Sequence, residues 1–438
     1  MKWIVVGAGS AGCVVARRLV DAGHHVVIVE AGPALRPTTM SPAIDGADSF
    51  EALASPGRVH TGLIARRSQA GERTPYLRGR GEGGSSAVNS MVALRGDAQL
   101  YESWGWTDTG AMFERVLVPI ERPRRSEIGR VARLLLDADD RARPAPLTRR
   151  AGRRITTAEA YLWPVLPALT TMPDAPVDRV EFDGSGAAVG VRLADGTRVD
   201  ADAVAVCSGA IHTPAILLRS GLTDRGVGTG LSDHPAAALT LQLRDPSGAS
   251  GLTTSVLLDL DPLQLLPVDH LGDAAPPDLA VLLVALMRPQ SASGTVRLAS
   301  DDPSDHPLVD LDLLADDRDV ERLCDGVAVA LELLRSPPFD ASVNALFIDD
   351  VGTSDAALDS RSAIADWLRR RGADYVHASS SMAGALGDHG RVRGHERLVV
   401  ADASAFPSIP NVNTHLPTMM LAERFVQEWI DTDARRSA

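Results

Sequence analysis

Two histidines and one carboxylate stand out as side chains whose type and setting could do chemistry. They are His377 in DYVHASSSMAG, His415 in NVNTHLPTMM, and Glu30 at the end of VVIVE. A neutral imidazole can accept a proton, as a general base must. His415 stands just ahead of Pro417, which marks the first turn of a helix. Positive potential at a helix N-terminus disfavours the imidazolium there and could also stabilise negative charge on a bound group. His377 closes an extended segment and precedes three serines. A lone histidine is more often structural than catalytic, so the surroundings must decide. His212 lies at the start of a helix, and His234, His389 and His395 flank prolines, glycines or charges, so all four read as structural or surface residues.

Other chemistries are excluded by what is missing. No HxH or HExxH spacing occurs, so no metal site is expected, and no GxSxG elbow is present. Lys2 is the only lysine, which removes Schiff-base chemistry and a P-loop lysine. Cys13, Cys207 and Cys324 are scattered and support neither a disulfide framework nor a zinc site nor covalent haem. The net charge of −13 argues against nucleic acid or an anionic membrane as partner. With 45% hydrophobic and 23% charged residues the chain reads as folded and soluble. No run approaches a membrane span and no leader precedes Trp3, so a cytoplasmic location is expected.

The elements that must position these residues begin with a βαβ unit. Trp3–Val6 is a short buried run, Ala11–Ala22 has helical spacing, and Val26–Val29 is a second strand. Between the first two lies Gly7-Ala8-Gly9-Ser10-Ala11-Gly12, a G-x-G-x-x-G in the context that confers meaning on it. Gly7 permits the turn, Gly9 admits a pyrophosphate, and Gly12 lets helix and strand pack closely. The helix N-terminus offers free N–H groups to phosphate. Glu30, 18 residues beyond Gly12, can accept both hydroxyls of an adenosine ribose and would repel a 2′-phosphate. Dinucleotide binding follows, with FAD and NAD both open on this motif alone.

GRGEGGSSAVNSM (79–91) is a second glycine-dense loop, after which Ala87–Met91 could open a helix. Residues 121–154 hold one helix-like core between arginine-rich flanks and read as a solvated connection. Residues 177–202 alternate as a β-meander with Asp-Gly turns, leading to the buried strand Ala203–Cys207. Thr213 then resembles an N-cap with Pro214 first in the helix. Strands at Leu239–Leu243 and Thr295–Leu298, an acidic helix near 316–335, a strand at Leu398–Ala401 and a helix over Pro417–Ile430 complete the reading. The length of 438 residues implies two domains. Nucleotide-type elements occur at the start, middle and end. The expected fold is α/β: a discontinuous Rossmann-like domain of residues 1–100, 155–235 and 390–438, and an inserted α+β substrate domain of 101–154 and 236–389 built on an antiparallel sheet.

These blocks, in this order, resemble the glucose–methanol–choline (GMC) family of flavin-dependent oxidoreductases. VVGAGSAGCVVARRL with VIVEAGP is similar to the family's FAD-binding start, GRGEGGSSAVNSMVALRG to its first signature, and SGAIHTPAILLRSGL to its second. GVGTGLSDHP and the ending GRVRGHERLVVADASAFPSIPNVNTHLPTMMLAER resemble later family segments. The resemblance implies FAD held at Gly7, Gly9, Ser10, Ala11, Gly12, Glu30 and Ala31, with contacts at Gly84, Ser85, Asn89, Asp402, Ala403, Asn413 and Thr414. Val88 stands where some members attach the flavin through histidine, so non-covalent FAD is expected.

The resemblance further implies oxidation of a small-molecule alcohol to a carbonyl by hydride transfer to flavin N5. It places a catalytic pair at His377 and His415: the first position takes the alcohol proton, and the second, histidine or asparagine in relatives, binds the substrate oxygen. The electron acceptor stays open among oxygen, a quinone and a protein. An NAD-linked dehydrogenase and a redox-inactive flavin-binding relative are the alternatives. Relatives commonly read His-Pro-x-Gly-Thr where this chain reads His377-Ala378-Ser379-Ser380-Ser381, and the section between Trp106 and Arg153 is short. A reduced cap and a more open site are therefore expected, features that resemble the mycofactocin-associated actinobacterial branch of dehydrogenases.

Overall fold

The computed structural model describes residues 1–223, 226–246, 251–371 and 373–437. Five short strands build its central parallel sheet. They are β1 (Lys2–Val6), β2 (His25–Val29), β3 (Leu169–Met172), β4 (Ala203–Val206) and β5 (Leu398–Val400), in the spatial order β5-β4-β1-β2-β3. The apolar runs of β1, β2, β4 and β5 suit strands covered on both faces, whereas the edge strand β3 reads Leu-Thr-Thr-Met with only Leu169 buried. Helix α1 (Ser10–Asp21) follows β1 and buries Ala11, Cys13, Val14, Val15 and Leu19. Val6 registers with Val29 on one side and Val206 on the other, and Val206 with Val400, so four strands end level. Gly7, Glu30, Cys207 and Ala401 all leave the sheet at that edge, the side on which parallel sheets bind ligands.

The expected meander is present as Val177–Phe182, Ala188–Leu193 and Arg198–Asp200, antiparallel to one another. Helix α2 (Gly209–Arg219) starts four residues before the expected Thr213 cap, with Pro214 inside it. Pro214 has no N–H to give to the carbonyl of Ala210, one turn back. That carbonyl accepts the Ser381 hydroxyl instead, at 2.6 Å. A side chain from the far end of the chain thus satisfies the group the proline leaves free, and the helix passes through.

The predicted helix over Ala87–Met91 does not form. A 3₁₀ turn, Gly84–Ala87, replaces it, and Met91 has φ +63°. Asn89 Oδ1 accepts the Met91 N–H at 3.1 Å, a local bond that competes with helix continuation. The arginine-rich stretch also differs from the solvated connection predicted. Its helix spans Arg130–Ala138, but Arg149 and Arg154 are fully buried. Arg149 is held by Glu127 at 2.8 Å.

An antiparallel sheet of seven strands forms the second layer, in the order Val343–Phe347, Pro235–Leu243, Leu279–Leu286, Leu263–Val268, Val256–Leu260, Arg143–Pro144, with Ala373–Asp374 added beside Pro235. The helix Asp317–Leu334 lies on it, where a Cβ at Gly326 would sit 2.9 Å from Val284. Helix α3 (His415–Ser437) closes the chain and packs along α1. Among the described residues, no helix is long and apolar enough to cross a membrane.

Candidate active site

The level ends of β1, β2 and β4 open into a cavity of about 680 Å³, within the range of small-molecule and cofactor sites. Val6, Val29 and Cys207 form its floor. Gly7, Gly9, Ser10, Ala11, Glu30 and Ala31 line one part. Gly84, Ser85 and Asn89 reach it from the second glycine loop, and Asp402, Ala403, Asn413, Thr414, His415 and His377 from the C-terminal third. Gly12 alone of the expected positions lies outside the lining. A Cβ there would fall 1.8 Å from the Gly7 carbonyl, so its place is the contact between α1 and β1. The two glycine loops touch: Gly84 has φ +50°, and its Cβ would meet Gly9 Cα at 2.7 Å.

The anchors of the cavity are built from backbone donors. Glu30 accepts from the N–H groups of Ala8 (2.7 Å), Gly32 (2.9 Å) and Gly81 (3.0 Å), which fixes the carboxylate and leaves a lone-pair site for a ligand hydroxyl. Asp402 accepts from Gly209 N, Thr213 Oγ1, Ser404 N and Ser404 Oγ. Four donors saturate it, so this side chain ties β5 to the start of α2, and burial pushes its carboxyl up. Asn89 Oδ1 accepts from Arg154 at 3.0 Å, and the same guanidinium reaches the carbonyl oxygens of Ser86 and Asn89. Arg154 thereby stiffens the second loop from behind, a role its setting in an arginine-rich stretch concealed.

His377 sits in a cluster the sequence did not join. Its backbone N–H is held by both oxygens of the buried Asp233 at 2.9 Å, and Asp233 also accepts from the His234 N–H and the Tyr76 hydroxyl, each at 2.7 Å. Burial and then the charge of Asp374 push the Asp233 carboxyl up to about 7. His234, predicted to be structural or superficial, is fully buried with its Nδ1 3.0 Å from His377 Nδ1. Its other nitrogen, Nε2, lies 2.9 Å from the Pro410 carbonyl.

These contacts assign the protons. A carbonyl only accepts, so His234 Nε2 carries a hydrogen. Burial holds the His234 imidazolium form down to about 3, so the ring is neutral and its Nδ1 is bare. His377 Nδ1 must then be the donor to it. His377 Nε2 is left with its lone pair, facing the Asn413 amide nitrogen at 3.5 Å. Burial, then His234 and Arg78, keep His377 well below the ordinary imidazole value. The result is a neutral base with a bare nitrogen beside an amide donor.

His415 was expected to complete this pair, and its position is different. Its Nδ1 meets Ser10 Oγ at 3.2 Å, in the first turn of α1, and no ring contact with His377 occurs among the described residues. The cause is register at the start of α3. His415 is the first helical residue and faces α1, and Asn413, two residues earlier, faces His377. Burial and then the positive charge of Arg154 lower His415 to about 4. Its Nε2 and Asn413 Oδ1 are buried polar atoms without partners among the described residues, both at the cavity. Orphaned polar atoms of this kind mark a place for a polar ligand.

In HASSS, Ser380 and Ser381 stand where the resembling family segment reads glycine and threonine. Ser380 holds φ +66° in the glycine position, and Ser381 supplies the hydroxyl. His60, His212 and His306 form a further cluster on the cavity wall.

Two family models described as GMC oxidoreductase match the chain, one over residues 1–115 and 143–236 and the other over 289–422. A GMC-type oxidoreductase of Rhodococcus erythropolis, itself uncharacterised, is 30% identical over 96% of this chain and 97% of its own. An oxygen-dependent choline dehydrogenase of Paraburkholderia phytofirmans is 30% identical over 96% of this chain and 93% of its own. Among solved structures, a formate oxidase of Aspergillus oryzae superposes with a TM-score of 0.86 at 19% identity, covering 99% of this chain and 98% of that one.

Proposed function

Because the chain belongs to the GMC oxidoreductase family, we propose that it oxidises a small alcohol to its carbonyl, with His377 as base and Asn413 as the donor that holds the oxygen. The observation that carries this reading is the bare Nε2 of His377, set 3.5 Å from the Asn413 amide nitrogen. A hydroxyl between them donates to Nε2 and accepts from the amide. Proton loss leaves charge on the oxygen, which the Asn413 N–H stabilises, while the new imidazolium is steadied by its Nδ1–H to His234. Asp233 fixes the backbone from which both rings project.

The cavity fits FAD. The glycine loop and the α1 N-terminus suit its diphosphate, Glu30 its ribose, and the unpartnered Asn413 Oδ1 and His415 Nε2 its polar ring edge. Ser10, Ala11 and Ala31 supply close backbone at one end, and Gly84, Ser85, Asn89, Ala403 and Thr414 at the other. Val88, buried at the wall, offers no nucleophile for a covalent link. The chemistry the cofactor supplies when bound is acceptance of a hydride from the alcohol carbon. Residues 1–100, 155–235 and 390–438 form the cofactor unit in this reading, and the antiparallel sheet roofs the substrate.

The test is anaerobic stopped-flow reduction of the flavin by a panel of alcohols. His377→Ala should retain flavin and reduce about 100-fold more slowly or worse, the scale of a lost general base. Equal rates in wild type and variant would remove His377 from this role.

A further inference from the structure

Three imidazoles that the oxidation does not use meet on the cavity wall. His60 comes from the loop before the strand Ile64–Arg66, His212 from the first turn of α2, and His306 from the loop before the strand Leu308–Asp310. One ring nitrogen of each lies within 4.8 Å of the others. The rings of His60 and His212 stack with centroids 4.2 Å apart, and His306 meets them steeply inclined at 5.9 and 6.2 Å. His306 Nε2–H donates to the Thr61 carbonyl at 2.9 Å, so Nδ1 is the atom left to ligate in the neutral ring. A backbone carbonyl on the far nitrogen is how proteins orient a ligating imidazole.

We propose that His60, His212 and His306 bind one divalent transition-metal ion of the zinc class, tying the loops at 60–63 and 303–307 to α2 along the cofactor cavity. Three imidazole nitrogens select zinc, copper or nickel over magnesium or calcium, which take oxygen. A zinc–nitrogen bond of about 2.0–2.1 Å sets tetrahedral ligand nitrogens about 3.4 Å apart, so the rings must draw inward by about 1 Å and the stacked His60 and His212 must rotate to bring their ring planes together on the ion. The fourth position stays open to water.

Arg78 and Arg80 bring positive charge near this cluster and weigh against a cation. Their guanidiniums are turned to other acceptors, Arg78 to the Val376 carbonyl and Arg80 to that of Ala31, but keep their charge. An anion in the same place would need ring N–H donors, and that of His306 already serves Thr61.

Flavin-loaded protein, freed of metal by chelator and titrated with Zn²⁺, should retain one equivalent by elemental analysis after gel filtration and melt at a higher temperature. His306→Gln, in a half-exposed loop, and His212→Asn should each weaken retention about 100-fold with the flavin absorbance preserved. Equal zinc retention in wild type and both variants overturns the assignment. Zinc uptake only after flavin is stripped overturns it too, because the rings would then be cofactor contacts. Stabilisation by inorganic phosphate with none by Zn²⁺ overturns it in favour of an anion site.

Discussion

His234 Nδ1 lies 3.0 Å from His377 Nδ1, and the opposite nitrogen of His234 is locked on the Pro410 carbonyl. One fixed proton on a buried ring therefore determines where the proton sits on its neighbour. His234 touches no reacting atom in this scheme and acts as a positioning residue. His234→Asn should slow flavin reduction about 10- to 100-fold, since His377 then samples the tautomer with Nε2 protonated. It should also move the acid limb of the pH profile downward, because the His377 imidazolium loses the lone pair that accepts its Nδ1–H. A merely structural loss would lower flavin content and leave the profile of the remaining enzyme in place, so the pH dependence of the reduction rate decides.

The depressed value of His415 makes a stability prediction of definite sign. In the folded chain it titrates at about 4, against an ordinary 6.5. Below pH 6.5 the unfolded chain takes up this proton and the folded chain does not. The stability linked to His415 is present above 6.5 and is lost as pH falls toward 4. Buried carboxyls such as Asp233, with its value raised to about 7, act in the opposite direction over an overlapping range, so the wild-type curve alone is uninformative. The difference curve isolates one ring. His415→Asn should lose less stability than wild type between pH 6.5 and 4, by on the order of 2 kcal/mol in chemical denaturation. Parallel curves would show that the ring titrates normally.

Ser380 carries backbone strain where relatives commonly have glycine. Its φ of +66° costs a residue with a Cβ about 1–2 kcal/mol, and glycine's greater freedom in the unfolded chain offsets about 0.5–1 of that. Ser380→Gly should therefore leave stability unchanged or raise it by about 1 kcal/mol, read as melting temperature, with reduction kinetics intact. Ser381→Ala should do the reverse, leaving the Ala210 carbonyl inside α2 without its donor, at about 1–3 kcal/mol. A stability loss in Ser380→Gly would mean that the serine side chain does more than its contacts indicate.

How far the sequence led depends on the range of the forces involved. The βαβ unit and its glycines were legible because turn, close approach and helix N-terminus are local demands, met within twelve residues. The meander and the acidic helix were legible from period alone. The start of α2 was misread because Thr213 and Pro214 have the local look of a cap, and the compensating hydroxyl of Ser381 lies far away in the chain. Arg154 was hidden for the same reason: its partners are the carbonyls of a loop some sixty-odd residues earlier. His234 and the triad of His60, His212 and His306 show no metal or catalytic spacing, since topology alone brings them together.

Register at the start of α3 decides which C-terminal residue shares the substrate with His377. Both His415 and Asn413 have the chemistry to bind an alkoxide, and both line the cavity. Asn413 Nδ2 lies at the bare nitrogen of His377, whereas His415 Nδ1 is spent on Ser10, beside the phosphate loop. Removing the amide should take away a donor that strengthens as charge develops on the oxygen, so Asn413→Ala saturated with FAD should reduce about 100-fold more slowly, beside the weaker flavin retention that follows from loss of its Oδ1. Removing the imidazole at the loop should act on the cofactor first. His415→Ala should weaken FAD retention about tenfold, the equivalent of one lost hydrogen bond of about 1.4 kcal/mol, and reduce at near wild-type rate once saturated with FAD. Stopped-flow traces and flavin content measured side by side separate the two roles. The opposite pattern, with a slow His415 variant and a fast Asn413 variant, would return the pair to the two histidines that the sequence alone suggests.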